Sequence, residues 1–381
     1  MKKFEHLFIL KVFAVWLGVL FLILFSAVKL IPPQTAFLGG GLFNYLSNPF
    51  LWAWSNFDGV HYTALVQEGY RSLTYFYFPL YPLLIKSLTP ILGESLTMVT
   101  FTGVAVSYLM FLLALVGFYK LLKLDFDNNM VRLAIILLLV FPTSFYFGSV
   151  YTESLFLALT VWSFYYARQK KWLMAGTLAA LATATRLVGL ALVAGLAVEA
   201  FLYWRSDRRK WLLPLLLVFI SMTGIGAYMY FVWQKTGDPL NFLHTVGVFG
   251  AQRSENLILL PQVFYRYIFK ILPNLNYSNF ASFFPGILEF AVASLFLVIS
   301  VVSFWKTRIS YAVFLFLGYV IPTLSGSFSS LPRYVLVLFP AYVILAQHLK
   351  KSKTVFLVFC LLSFILLAIS LSLFARGYWI S

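Results

Sequence analysis

Few residues in this chain can do chemistry, and they stand at breaks between apolar runs. Asp58 and His61 are three apart in an aromatic-rich segment. Glu153, Arg186 and Arg333 each fall at the tip of an apolar hairpin, and Asp238 and His244 open a second polar stretch. A carboxylate beside an apolar boundary has its pKa raised and becomes a better base near neutral pH, and a histidine one turn away can orient it. Guanidinium groups bind phosphate oxygens as a fork and stay charged at any relevant pH. Such a set suits an anionic, lipid-linked substrate better than a water-soluble one. A structural reading stands beside each assignment. Asp before Gly commonly makes an Asx-turn or helix cap, Glu153 also suits a helix start, and arginines at hairpin tips reach lipid headgroups.

The elements that must position these residues are membrane helices. Of the 381 residues 62% are hydrophobic and 10% charged, well short of the roughly 25% charge of soluble domains. Uncharged runs such as Val12–Val28 and Val355–Leu373 approach the roughly 20 residues that span a bilayer core. The single cysteine, Cys360, excludes an internal disulfide and any Cys-x-x-Cys site. A net charge of +16 points to nucleic acid only if it is gathered on a soluble face. Here the basic residues cluster between apolar runs, at Lys2-Lys3, Lys120 to Arg132, Arg168 to Lys171, Arg205 to Lys210, Lys306 to Arg308 and Lys350 to Lys353. Nucleic acid is therefore not expected as a partner, and the clusters read as cytoplasmic ends.

For all clusters to share one side, the chain must cross an even number of times between them. The intervals Arg132–Arg168, Lys171–Arg205 and Arg308–Lys350 hold about 33 to 41 residues, too long for one crossing and so read as hairpins of two, some of them short. Their tips fall at Gly148–Ser154, Thr185–Gly189 and Ser325–Arg333. The expected architecture is an all-α polytopic membrane protein of about eleven transmembrane helices in a single integral membrane domain, residues 1–381. Its first outer loop, 31–96, contains short amphipathic helices, and a second spans 234–285. The amino terminus is expected inside and the carboxyl terminus outside, with the first helix retained as an anchor.

Several segments resemble one family. Trp54-Ser55-Asn56-Phe57-Asp58-Gly59-Val60-His61-Tyr62, then Gly69-Tyr70 and Phe78-Pro79-Leu80-Tyr81-Pro82, are similar to segments of the mannosyltransferases that add the second mannose to glycosylphosphatidylinositol (PIG-V-like) and of their bacterial relatives. Tyr151-Thr152-Glu153-Ser154-Leu155-Phe156, Arg186-Leu187-Val188-Gly189, Gly237-Asp238-Pro239-Leu240 and Pro332-Arg333-Tyr334 follow in the family's order. Phe57 departs from the family's usual Trp, a flat apolar exchange that leaves the chemistry untouched. The resemblance implies a GT-C-type bundle and a hexose, mannose on the resemblance alone, carried on a polyprenyl or dolichyl phosphate. It implies an acceptor hydroxyl on a glycan, glycolipid or protein, and it places the catalytic carboxylate at Asp58.

Sugar transfer from a lipid phosphate needs a base for the acceptor hydroxyl and positive charge for the departing phosphate. Asp58 fits the first role and Arg186 with Arg333 the second; His61, Tyr62, Glu153, Asp238 and His244 are candidates for contact with sugar or acceptor. No cofactor is expected. No ligand spacing supports a metal at Asp58, His61, Asp238 and His244, and Gly39-Gly40-Gly41 lacks the Gly-Lys-Ser/Thr of a P-loop. The alternative is a flippase or transporter of a lipid-linked sugar, which predicts two similar halves and charges near the midplane; neither is visible in the sequence. The expected location is the plasma membrane with the site facing outside, or the endoplasmic reticulum with a lumenal site in a eukaryote.

Overall fold

The computed structural model describes residues 2–245, 254 and 256–380. It is helical throughout, with no strand among the described residues. In chain order, α1 is Lys2–Leu30, α2 Gly41–Ser47, α3 Pro49–Trp52, α4 Asp58–Glu68, α5 Leu80–Leu92, α6 Leu96–Leu122 and α7 Asn128–Leu139. Then come α8 Glu153–Arg168, α9 Trp172–Thr183, α10 Gly189–Ser206, α11 Leu213–Thr236, α12 Asn241–His244 and α13 Leu260–Arg266. The last are α14 Phe280–Lys306, α15 Ile309–Thr323, α16 Leu331–Val335, α17 Pro340–Leu349 and α18 Lys353–Ala375.

Among the described residues, six helices are long and apolar enough to cross a membrane: Leu7–Leu30, Leu96–Leu122, Gly189–Ser206, Arg208–Thr236, Phe280–Lys306 and Lys353–Ala375. Four shorter apolar helices, α5, α7, α9 and α15, have 12 to 15 residues. At 1.5 Å per residue α7 and α9 reach only about 18 Å, short of a core of about 30 Å. Among the described residues, six of the expected helices are thus long enough to cross alone. Polar caps mark several starts: Ser95 Oγ accepts from Met98 N at the head of α6, and Asp127 Oδ1 from Met130 N at the head of α7.

The chain divides into two compact units. The first comprises residues 1–70, 81–158 and 345–380; the second comprises 71–80 and 159–344. In the first unit α1 packs on α6 and α18. Its core is aromatic: Phe111 stacks on Phe147 with centroids 4.2 Å apart and meets Trp16 at 4.9 Å. The hairpin tip expected near Gly148 is a break between α7 and α8, and every residue from Phe141 to Thr160 is buried. Non-helical backbone in such surroundings must find partners within the protein. Ser144 Oγ donates to Leu139 O, Ser154 Oγ to Phe147 O and Ser107 Oγ to Ser149 O, at 2.6–2.7 Å.

The second unit is built on close helix approaches at small residues, as expected where packing in lipid gains little from hydrophobic burial. α9 lies so near α11 that a Cβ on Gly224 would collide with Ala180 O, and Thr183 Oγ1 donates to Ser221 O. α10 meets α15 at Gly195, whose Cβ would come within 2.8 Å of Ser310 O. Near the same contact Glu199 is buried but compensated, accepting from Arg308 at 2.8 Å and from Ser310 at 2.6 Å.

Orientation across the membrane can be checked at exposed positions. With the basic clusters inside, cysteines replacing the exposed Ser47, Ser72 and Ser278 are expected to react with an impermeant maleimide on intact cells, while those at Ser206 and Ser352 react only after permeabilisation. Equal labelling of Ser47 and Ser352 from outside would overturn the orientation.

Candidate active site

Asp58 is the first residue of α4, and the residue before it is strained. Phe57 has φ 55° and ψ −117°, a conformation that a side chain disfavours and that persists only where its surroundings enforce it. The enforcement is visible in hydrogen bonds. Phe57 N donates to Phe37 O at 2.9 Å, Gly39 N to Asn56 Oδ1 at 2.8 Å, and Val150 N to Trp54 O at 2.8 Å. Tyr151 Oη donates to Asn56 O at 2.8 Å and accepts from Asp58 N at 3.1 Å. The turn bearing Asp58 is thus pinned by the segment that leads directly to Glu153.

Gly39 and Gly40 gain a structural explanation here. A Cβ on Gly39 would collide with Ser55 Oγ and Trp52 O, and Gly40, at φ 68°, lies against the Trp52 ring. Gly59 is packed likewise: a Cβ there would meet Ser55 at 3.3 Å and Tyr151 at 3.6 Å. Its side of the backbone faces protein, so glycine serves close packing there rather than an open approach for an acceptor.

His61 is half-buried one turn beyond Asp58. Tyr62 is buried and meets Tyr81 and Tyr151 edge-on, at 5.5 and 6.2 Å. Tyr81 is fully buried and bonds to Gly103 O and Ser107 Oγ. Tyr62 and Tyr81 thus pack against each other beside the Asp58 helix. Glu153 is 1% exposed and opens α8.

In the second unit Arg186 and Arg333 come together. Arg186 lies in the break between α9 and α10, and Arg333 in the short α16, which starts after Ser330 at φ 66°. Both are more than nine-tenths buried, and each guanidinium lies 5.2 Å from the centre of the Tyr334 ring. The Arg186 break is held by Gly189, where a Cβ would come within 2.7 Å of Thr183 Cα, and by Leu80 N donating to Ala184 O at 3.1 Å. Two residues before Leu80, Phe78 packs on Tyr228 and Phe242 at 4.9 and 5.4 Å. The Phe-Pro-Leu run thus supports the turn bearing Arg186.

Asp238 and His244 form a separate pair, Oδ2 to Nδ1 at 2.6 Å. Gly237, at φ 75°, ends α11, and Asp238 Oδ1 accepts from Leu240 N at 2.9 Å, an Asx-turn. The bond from the Leu240 amide, and then that to His244, hold the Asp238 carboxyl below its ordinary pKa of 3.8.

Two features escaped the sequence reading. Tyr151 carries the contact to Asp58, and its only signal was its place two residues before Glu153. Glu289, buried in α14, accepts from Tyr267 Oη at 2.8 Å; an acid inside an apolar run was signal enough.

The long apolar helices define a multi-pass membrane protein. The family model for Mannosyltransferase (PIG-V) matches residues 6–235, more than half of the sequence, and the chain belongs to that family of membrane glycosyltransferases. No curated protein matches it. Two crystal structures of the Archaeoglobus fulgidus oligosaccharyltransferase resemble it. One, a complex with Zn and sulfate, is 14% identical with a TM-score of 0.44, covering 95% of this chain and 53% of its own. The other, tethered to an acceptor peptide containing the NVT sequon, is 13% identical with a TM-score of 0.43, covering 95% and 55%. The chain spans about half the length of these structures, and a likeness so distant carries no assignment.

The Asx-turn makes a specific prediction. Asn at position 238 can still accept from Leu240 N, so Asp238→Asn is expected to stay nearer the parent's melting temperature in detergent, whereas Asp238→Ala lowers it. Because the folded carboxyl titrates below its unfolded value, its stabilisation is full above about pH 5 and is lost as the pH falls through the depressed pKa, below about pH 4. Melting scans of Asp238→Ala against the parent should therefore converge only on the acid side; a gap unchanged at pH 3 would overturn this.

Proposed function

We propose that this chain transfers a hexose, mannose by family, from a polyprenyl or dolichyl phosphate to an acceptor hydroxyl on the extracytoplasmic side, with inversion at the anomeric carbon. Asp58 is the general base. It takes the hydroxyl proton as the acceptor oxygen bonds to the anomeric carbon and the bond from that carbon to the phosphate oxygen breaks. The lipid phosphate leaves as an anion and needs positive charge rather than a proton, so one carboxylate suffices where most glycoside hydrolases use two. Arg186 and Arg333 bind that phosphate, and His61, Tyr62, Glu153 and the Asp238–His244 pair are assigned to sugar or acceptor. The acceptor is a glycan, glycolipid or protein. The plasma membrane is the assigned site of action, or the endoplasmic reticulum with a lumenal face in a eukaryotic cell.

The observation that carries this reading is the strained, four-way pinned turn at Phe57–Asp58 in a chain of a mannosyltransferase family. Strain of this kind is kept where a side chain must be aimed.

Asp58→Asn keeps shape but cannot take a proton at neutral pH. It is expected to retain fold and donor binding while transfer falls on the order of a hundredfold or more. Product analysis should give the inverted anomer. Near-native turnover by a folded Asp58→Asn chain, or retention, would overturn the assignment.

Arg186→Gln and Arg333→Gln are each expected to weaken donor binding at least about tenfold, with Lys restoring only part because it cannot fork. Binding of polyprenyl-phosphate mannose to detergent-solubilised protein measures this. Unchanged affinity in both Gln variants would leave the arginines as packing on Tyr334.

A further inference from the structure

The end of α18 lies in the first unit beside the Asp58 turn, beyond the residues 6–235 that define the family match. The last carbonyls of a helix have no intrahelical donors, and at an apolar boundary they need protein partners. For α18 the donor is Asn56. Its Nδ2 bonds to Phe374 O at 2.8 Å and Ala375 O at 3.1 Å, and Ala375 O also accepts from Tyr45 Oη at 2.5 Å. For α1 the donor is Arg376, whose Nε bonds to Ile31 O at 2.6 Å, placing a positive charge at the negative end of that helix. Arg376 is 5% exposed, and its Nη1 donates to Tyr45 Oη at 3.0 Å. Its carbonyl accepts from Gln34 N at 2.8 Å.

Asn56 therefore joins the end of α18 to the strained turn. Its Oδ1 holds Gly39 N, its carbonyl holds Tyr151 Oη, and it is completely buried. After Arg376 the chain turns at Gly377, φ 80°, where a Cβ would approach Gln34 O to 2.7 Å. That turn brings Trp379 edge-on to Phe57 at 5.3 Å and lets Ile380 O accept from Tyr146 Oη at 2.6 Å. Phe374 also packs on Phe57, at 5.7 Å.

We propose that residues 374–380 form a clamp that, through Asn56 and Arg376, holds the Phe57–Asp58 turn in its strained form, making Asn56 and Arg376 positioning residues for sugar transfer. The proposal rests on the assignment of Asp58 as base. Reacting groups displaced by about 1 Å lose on the order of a hundredfold in rate, so loosening this clamp acts on turnover rather than on donor binding.

The test uses the full chain in nanodiscs with polyprenyl-phosphate mannose as donor. Asn56→Ala and Arg376→Gln are expected to lower kcat at least about tenfold, to leave the donor Kd within about twofold, and to speed hydrogen exchange of amides 57–60. Arg376→Lys, which keeps the charge, falls between. In an Asp58→Asn background Asn56→Ala causes no further loss. If Asn56→Ala does not fold, Asn56→Asp keeps the volume but removes both N–H bonds and is expected to behave alike. Unchanged exchange at 57–60 in Asn56→Ala (or Asn56→Asp) and Arg376→Gln overturns the clamp, as does a kcat loss of the same size in the Asp58→Asn background. Should Asp58→Asn itself turn over normally, the base assignment fails, and the exchange measurement alone decides the clamp.

Discussion

Every interruption of helix in this protein obeys one constraint: a backbone N–H or C=O removed from the helical ladder in apolar surroundings must find a partner within the chain. The interruptions coincide with the residues that carry chemistry. Asp58 follows the break at 56–57 and Glu153 the break at 140–152, Arg186 lies within the break at 184–188, and Arg333 follows the turn at 324–330. Each is closed by side chains on their own or neighbouring segments. Asn56 and Tyr151 serve the first, serines the second, and Thr185 Oγ1, bonding to Leu181 O at 2.8 Å, the third. At the fourth, Arg266 Nη1 donates to Gly326 O at 2.6 Å and Ser254 N to Ser325 O at 2.8 Å. A continuous helix would bury only its own ladder and could not aim a polar group from its end. The breaks free side chains to point, and the closing bonds keep them pointing one way.

This constraint orders the glycines and small polar residues as well. Gly39, Gly189 and Gly224 lie where backbone meets backbone too closely for a Cβ. Buried hydroxyls beside them add bonds to backbone carbonyls, Ser55 Oγ to Trp52 O and Thr183 Oγ1 to Ala180 O and Ser221 O.

How much of this was legible in the sequence follows from the range of each interaction. The apolar runs, the breaks between them and the motif around Asp58 are local, and the breaks at 148–154, 185–189 and 325–333 fall where spacing puts them. Crossing number was less legible, because composition marks α7 and α9 as apolar but does not show that each stops after 12 residues. The edge-on contacts of Tyr62 with Tyr81 and Tyr151, about 20 and 90 residues away, are likewise set by the fold and not by local spacing. The bond from Asn56 to Phe374 spans 318 residues, and no periodicity in one sequence carries that information. Gly39-Gly40-Gly41 could be read only as the absence of a P-loop, since the partner that requires glycine, the Trp52–Ser55 turn, is defined by the fold.

The arginine pair shows why residue type matters beyond charge. Arg186 and Arg333 reach one ring, Tyr334, from different segments, each at 5.2 Å. A guanidinium placed over a ring uses its face for that contact, while its N–H groups lie in the plane and point outward along the edge. A lysine in either place would bring the charge but not the fork, and its more strongly hydrated ammonium would be harder to bury. Two forked, permanently charged groups held on buried segments suit a ligand whose charge is concentrated in oxygens, and this is the physical basis for proposing a phosphate rather than a sugar there.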